Sequence, residues 1–174
     1  MILILNDEMN NAMLEKLAAA YNELNEKQLP VLQLFLSSPG GETNIGAAMR
    51  ELINRHSERT IVTAYSYIES AAFDLFFKVG CARVILPTTI GTAHISRWCV
   101  IKGEGGIDLD RREAFKTSHL RSTINERVEF FKALGMTDNE ISLMKRGEDI
   151  YLDSKRLQKM LQKSIKNEVH RKFA

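Results

Sequence analysis

The feature that most constrains this chain is an alternation of two hydrophobic periods between Ile2 and Ile95. Short apolar runs at Ile2–Leu5, Val31–Leu36 and Thr60–Tyr65 read as buried strands. Between them Met9, Met13, Leu14, Leu17, Tyr21 and Leu24 recur at helical spacing, as do Ile45, Met49, Leu52 and Ile53. Strand and helix patterns in turn predict an α/β fold, a mainly parallel sheet with helices packed on it.

The boundaries follow from local chemistry. Asn6 and Asp7 are good N-cap residues for a first helix over about Glu8–Lys27, and Pro30 stops it. Ser37-Ser38-Pro39-Gly40-Gly41 is a tight turn, after which Thr43 or Asn44 opens the next helix. Ser70–Val79 fits a short, largely buried helix with Gly80 behind it, and Arg83–Leu86 and Gly91–Ile95 read as two more strands. Past Lys102 the character changes. Gly103–Gly106 is a loop, and Arg111–Leu134 is a long amphipathic helix ended by Gly135. Thr137 or Asp138 caps a short helix, Asp149–Leu152 is extended, and a last helix covers about Ser154–Val169.

A chain of 174 residues with this pattern is expected to be one domain with a sizeable core. The net charge of +2 supplies no global reason to bind nucleic acid. The C-terminal stretch is locally basic, with seven Lys or Arg against two acids from Asp153 onward, which reads as a solvated helix face. Cys81 and Cys99 are too few for a disulfide scaffold and do not form a CxxC metal pair. No run approaches the roughly 18 apolar residues of a membrane helix, and Met1–Leu5 lacks the basic start and cleavage site of a signal peptide. The expected setting is the cytoplasm, with no membrane and no nucleic acid as partner.

Three polar residues sit where strands are predicted to end: Ser70, His94 and Asp149. A serine nucleophile needs a base, and the base needs a third group to fix its tautomer. Ser70 at a helix N-terminus would face unpaired N–H groups and the positive end of the helix dipole. The Ala71 N–H is one such donor, and Gly40-Gly41 lets backbone approach a substrate and offers the Gly41 N–H as a second. Each piece also has an ordinary reading: Ser70 as an N-cap, His94 as a core histidine, Asp149 and the glycines as turn residues.

Taken together, the segments are similar to the proteolytic subunit of the Clp protease, the ClpP family. Leu34–Gly41, LFLSSPGG, resembles that family's "(I/L)NSPGG" segment, and Gly46 and Met49 fall in its next helix. Ser70-Ala71-Ala72 resembles the nucleophile region, and Arg83–Thr89 the "RxxLPNS" stretch. His94 falls on the family's histidine, and Leu143–Leu152 resembles its "ERDxFL" segment with Asp149 on the aspartate. The resemblance runs from about Ile2 to Leu161.

The resemblance implies a ClpP/crotonase-like spiral of ββα units with a protruding long handle helix. Residues of about 1–102 and 149–174 would form the head, and about 107–146 the handle region. It implies a serine endopeptidase acting on peptides or unfolded proteins, with Ser70 as nucleophile, His94 as base and Asp149 as orienting acid. Gly41 and Ala71 become the oxyanion donors, Gly40 a substrate-binding position, and no cofactor or metal is needed. It implies a homo-oligomer joined through handle helices and head contacts. Because the match begins at the second residue, the family's N-terminal axial segment is expected to be missing. An ATP-driven unfoldase is then a partner only loosely coupled, if at all.

The chain also departs from the pattern. Where the family has small residues before the serine, as in "GMAAS", this chain has Ser66-Tyr67-Ile68-Glu69. Ser66 replaces the glycine and Glu69 precedes the nucleophile, its carboxylate expected to point away from the oxyanion. Ala72 stands where a glycine is common, Ile95-Ser96 replaces Gln-Pro, and Glu148 rivals Asp149 as third member. These departures leave two alternatives: a catalytically silent ClpP-like scaffold or regulatory subunit, and a crotonase-type acyl-CoA enzyme, which the ordered triad disfavours.

Overall fold

A computed structural model describes residues 1–95 and 124–172, with side chains described as far as residue 168. The Gly103–Gly106 loop, the first part of the predicted helix Arg111–Leu134, Ser96 and Cys99 lie outside the described residues. The chain divides into two compact units, Met1–Ala93 with Ile150–Gln162, and His94–Asp149 with Lys163–Ala174.

The first unit is built on a six-stranded sheet. Its strands are β1 (Ile2–Leu5), β2 (Leu32–Ser38), β3 (Thr60–Glu69), β4 (Ala82–Ile85), β5 (Ile90–Ala93) and β6 (Ile150–Leu152). The order is β1-β2-β3-β5-β6, with β4 also on β3, and every pairing is parallel except β5 with β6. Helices α1 (Asn11–Glu26), α2 (Thr43–Arg55) and α3 (Ser70–Lys78) connect the strands. Alternate strand residues are fully buried on the face the helices cover, Leu32, Leu34 and Leu36 on β2 and Val62 and Ala64 on β3. On the other face Ile2, Ile4 and Val84 are exposed.

One end of this core is polar but satisfied. Tyr21 stacks on His56 with ring centroids 4.3 Å apart, and its hydroxyl lies 2.9 Å from Thr60 Oγ1, which donates to the His56 carbonyl. Burial pushes the Tyr21 phenol up to about 12.

The first helix starts later than its periodicity predicts. Asn10, not Asn6 or Asp7, is the N-cap, its side chain accepting from the Met13 N–H at 3.1 Å. Met9 is drawn out of the helix into a parallel bridge with Gly41. β3 in turn runs on to Glu69, four residues beyond the predicted Tyr65.

That length lets β3 serve two neighbours on one side. Ile61–Ala64 pair with β4 and Tyr67–Glu69 pair with β5. The changeover is a bulge: Leu36 faces Ala64 but Ser38 faces Ile68, so β3 advances four residues while β2 advances two. Ser66 sits in it with φ +58, the left-handed region that glycine occupies without strain.

In the second unit, residues 124–134 are helical (α4), followed by α5 (Asp138–Lys145). Gly135 at φ +94 ends α4, with the Met136 N–H returning to the Phe131 carbonyl. Thr137 and Glu140 form a capping box on α5. Val128, Phe131, Leu134, Ile141 and Met144 are buried here. The last helix, α6 (Ser154–Lys172), belongs to the first unit through Gln162 and to the second beyond it. Its Leu157 lies so close to Gly91 that a Cβ there would sit 2.8 Å from Leu157 Cδ2.

Among the described residues no helix is long and apolar enough to cross a membrane.

Candidate active site

Parallel strands present their carboxyl ends on one edge, where α/β folds characteristically bind ligands. β2 ends there in Ser38-Pro39-Gly40-Gly41, and β3 ends there in Glu69-Ser70. The two junctions press together. A Cβ on Gly40 would lie 2.7 Å from Ser70 Cβ and 2.9 Å from the Ala71 nitrogen. Gly40 and Gly41 have φ of +94 and +137, so both backbone geometry and space call for glycine. The Ser38 hydroxyl, itself buried, accepts from the Gly40 N–H at 3.1 Å and holds the turn.

Gly41 is oriented by the bridge to Met9. The Met9 N–H donates to the Gly40 carbonyl at 2.6 Å, and the Glu42 N–H donates to the Met9 carbonyl at 2.9 Å. The groups flanking Gly41 are thereby used on the Met9 side, and alternation turns the Gly41 N–H the other way. No hydrogen bond among the described residues uses it. In the sequence the helical spacing of Met9 with Met13 masks this role.

Ser70 opens α3 with φ +50, a left-handed conformation for a non-glycine residue. The N-cap position belongs to Glu69, whose side chain makes no cap hydrogen bond. The Ala71 N–H, in the first turn, has no carbonyl one turn earlier to receive it. The Glu69 carboxylate instead accepts from the Thr92 hydroxyl at 3.0 Å, across the final rung of the β3–β5 ladder.

In the second unit, His94 follows directly on Ala93 and Asp149 directly precedes Ile150, the last rung of the antiparallel β5–β6 ladder. Nδ1 of His94 is 3.3 Å from Oδ1 of Asp149, a long hydrogen bond with both side chains partly exposed. A neutral ring donating from Nδ1 keeps Nε2 as an acceptor, the form a general base requires. Glu148, the rival acid, is engaged by Arg146, whose Nε lies 3.3 Å from its Oε1. Arg127 Nε donates to the His94 carbonyl at 3.0 Å, and its guanidinium lies 5.5 Å from the Phe131 ring centroid. Nothing in the sequence marks Arg127 out, since it acts on backbone.

Gly40, Gly41, Ser70 and Ala71 therefore gather in the first unit, and His94 and Asp149 in the second. No family model and no curated protein matches the sequence. Solved structures do. ClpP1 from Listeria monocytogenes matches with a TM-score of 0.60 at 16% identity, covering 91% of this chain and 86% of that one. An Asn-to-Asp variant of the same protein matches with a TM-score of 0.63 at 19% identity over the same shares. The chain has a ClpP-like fold. At these identities it is a divergent example, and the likeness to ClpP concerns the fold rather than the chemistry.

Proposed function

We propose that this chain is a serine endopeptidase of the ClpP type, cleaving peptides or unfolded proteins in the cytoplasm. The observation that carries the reading is the His94–Asp149 pair at the ends of β5 and β6 in a ClpP-like fold. Ser70 Oγ attacks the scissile carbonyl, and His94 takes its proton and returns it to the leaving amine. Asp149 holds the imidazole in the required tautomer. The Gly41 and Ala71 N–H groups receive the oxyanion, and Gly40 leaves room for the substrate backbone. The mechanism calls for no metal or cofactor.

The reading includes a homo-oligomer, with the exposed Ile2, Ile4 and Val84 of the outer sheet face supporting a contact between heads. Sedimentation of the purified chain tests that part.

The central test is reaction with a fluorophosphonate probe. Wild type is expected to label on Ser70, and Ser70→Ala is expected not to. An unlabelled wild type, or equal labelling of Ser70→Ala, overturns the assignment. A second reading, a catalytically silent scaffold, rests on the sequence departures Ser66 and Glu69 ahead of Ser70. Assembly without cleavage of any peptide would establish it.

A further inference from the structure

Glu69 is in an unusual position for a carboxylate. It is the N-cap residue of α3, and an N-cap side chain ordinarily accepts from the N–H two or three residues on. Here those are Ala71 and Ala72. A negative charge is also what a helix N-terminus attracts. Yet the Glu69 side chain makes no cap hydrogen bond. Its Oε1 is taken by Thr92 Oγ1 at 3.0 Å, on the neighbouring strand.

The geometry around this contact explains its stability. Glu69 and Thr92 are direct partners in the parallel ladder, so their side chains share a face. Thr92 is buried, with 6% of its surface exposed, and its hydroxyl donates to the Glu69 carboxylate. The ladder has only three rungs, Tyr67 with Ile90, Ile68 with Gly91 and Glu69 with Thr92. It is flanked by the two left-handed residues Ser66 and Ser70. The side-chain bond closes its last rung.

We propose that Thr92 is a positioning residue that keeps the Glu69 carboxylate off the N-terminus of α3, leaving the Ala71 N–H open to an oxyanion. This rests on the serine-peptidase reading for its catalytic consequence, but the restraint itself is a property of the first unit. Without the hydroxyl, Glu69 has no partner across the ladder. Its carboxylate then folds back to cap α3, occupying the donor and placing a negative charge where the oxyanion develops.

The test uses Thr92→Val, which keeps the shape and removes the hydroxyl, with Thr92→Ser, Glu69→Ala and the double variant Thr92→Val/Glu69→Ala. In the full chain, amide exchange over Ala71 and Ala72 is expected to slow about tenfold in Thr92→Val and to return to the wild-type rate in the double variant. Peptide turnover is expected to fall about 10²-fold in kcat in Thr92→Val, with KM unchanged, as for loss of an oxyanion donor. Glu69→Ala and the double variant stay within about twofold of wild type, and Thr92→Ser behaves as wild type. A merely structural hydrogen bond gives the opposite pattern: Glu69→Ala and Thr92→Val lose equally, and the double variant is not rescued. That pattern, or unchanged exchange in Thr92→Val, overturns the proposal. Should exchange respond as expected while wild type fails to label with fluorophosphonate, the peptidase reading falls and the restraint stands.

Discussion

Replacing Ser66 by glycine should stabilise the protein, and the size of the gain follows from one dihedral. Ser66 is exposed and sits at φ +58 in the β3 bulge, so it contributes little packing and pays a conformational penalty. A left-handed conformation costs a non-glycine residue about 1–2 kcal/mol. Glycine escapes that cost but gives up about 0.5–1 kcal/mol in extra unfolded-state freedom. The expected net gain is about 0.5–1 kcal/mol. For a chain of this length that is a rise of about 1–4 °C in Tm. Urea unfolding measures it directly: the midpoint of Ser66→Gly should rise with the slope unchanged. Ser66→Ala should match wild type within about 0.5 kcal/mol, since alanine bears the same backbone strain. Ser66→Val should lose about 1 kcal/mol, because β-branching makes the left-handed region worse. A lower midpoint for Ser66→Gly than for wild type, or equal stability of Gly and Val, would refute the claim that the changeover from β4 to β5 stores strain at this residue.

Other outcomes follow from the proposed function together with the same geometry. Asp149→Asn should leave the fold intact but cut peptide turnover by about 10³–10⁴, the scale seen when a triad loses its orienting carboxylate. Glu148→Gln should leave turnover unchanged, since that acid is engaged by Arg146. Gly40→Ala should abolish labelling of Ser70 while a folded protein remains detectable by circular dichroism, because the new Cβ would meet Ser70 and Ala71 below 3 Å. The raised Tyr21 phenol predicts an alkaline limit to stability. The neutral form is favoured by folding, so the contribution is intact below pH 10 and is lost as pH rises toward about 12. The unfolding free energy from denaturant titrations should therefore fall over that window in wild type, by on the order of 2 kcal/mol, and much less in Tyr21→Phe.

Much of the architecture was legible because it is encoded locally. The helical repeat of Met13, Leu17, Tyr21 and Leu24, the β-branched run from Thr60 and the Gly135 terminator each act over a few residues, and all reappear in the structure. The misread boundaries have non-local causes. Met9 keeps helical spacing with Met13, yet its backbone hydrogen bonds go to Gly40 and Glu42, more than thirty residues on. The extension of β3 to Glu69 depends on β5 supplying partners for Tyr67, Ile68 and Glu69, which no local pattern announces.

The candidate site divides in the same way. Sequence by itself determined which chemistry is available: a serine at a strand-to-helix junction, two glycines after Pro39, and a histidine and an aspartate at strand ends. Side-chain type and local turn propensity suffice for that. The resemblance already placed Asp149 rather than Glu148 as the orienting acid, and only the tertiary structure brings its carboxylate within 3.3 Å of His94, with Glu148 lying against Arg146. The tertiary structure also decided where the Glu69 carboxylate goes. A charged side chain at a helix N-terminus has a strong local partner in the free N–H groups, and only a hydroxyl on a neighbouring strand, brought there by pairing over 23 residues of chain, diverts it.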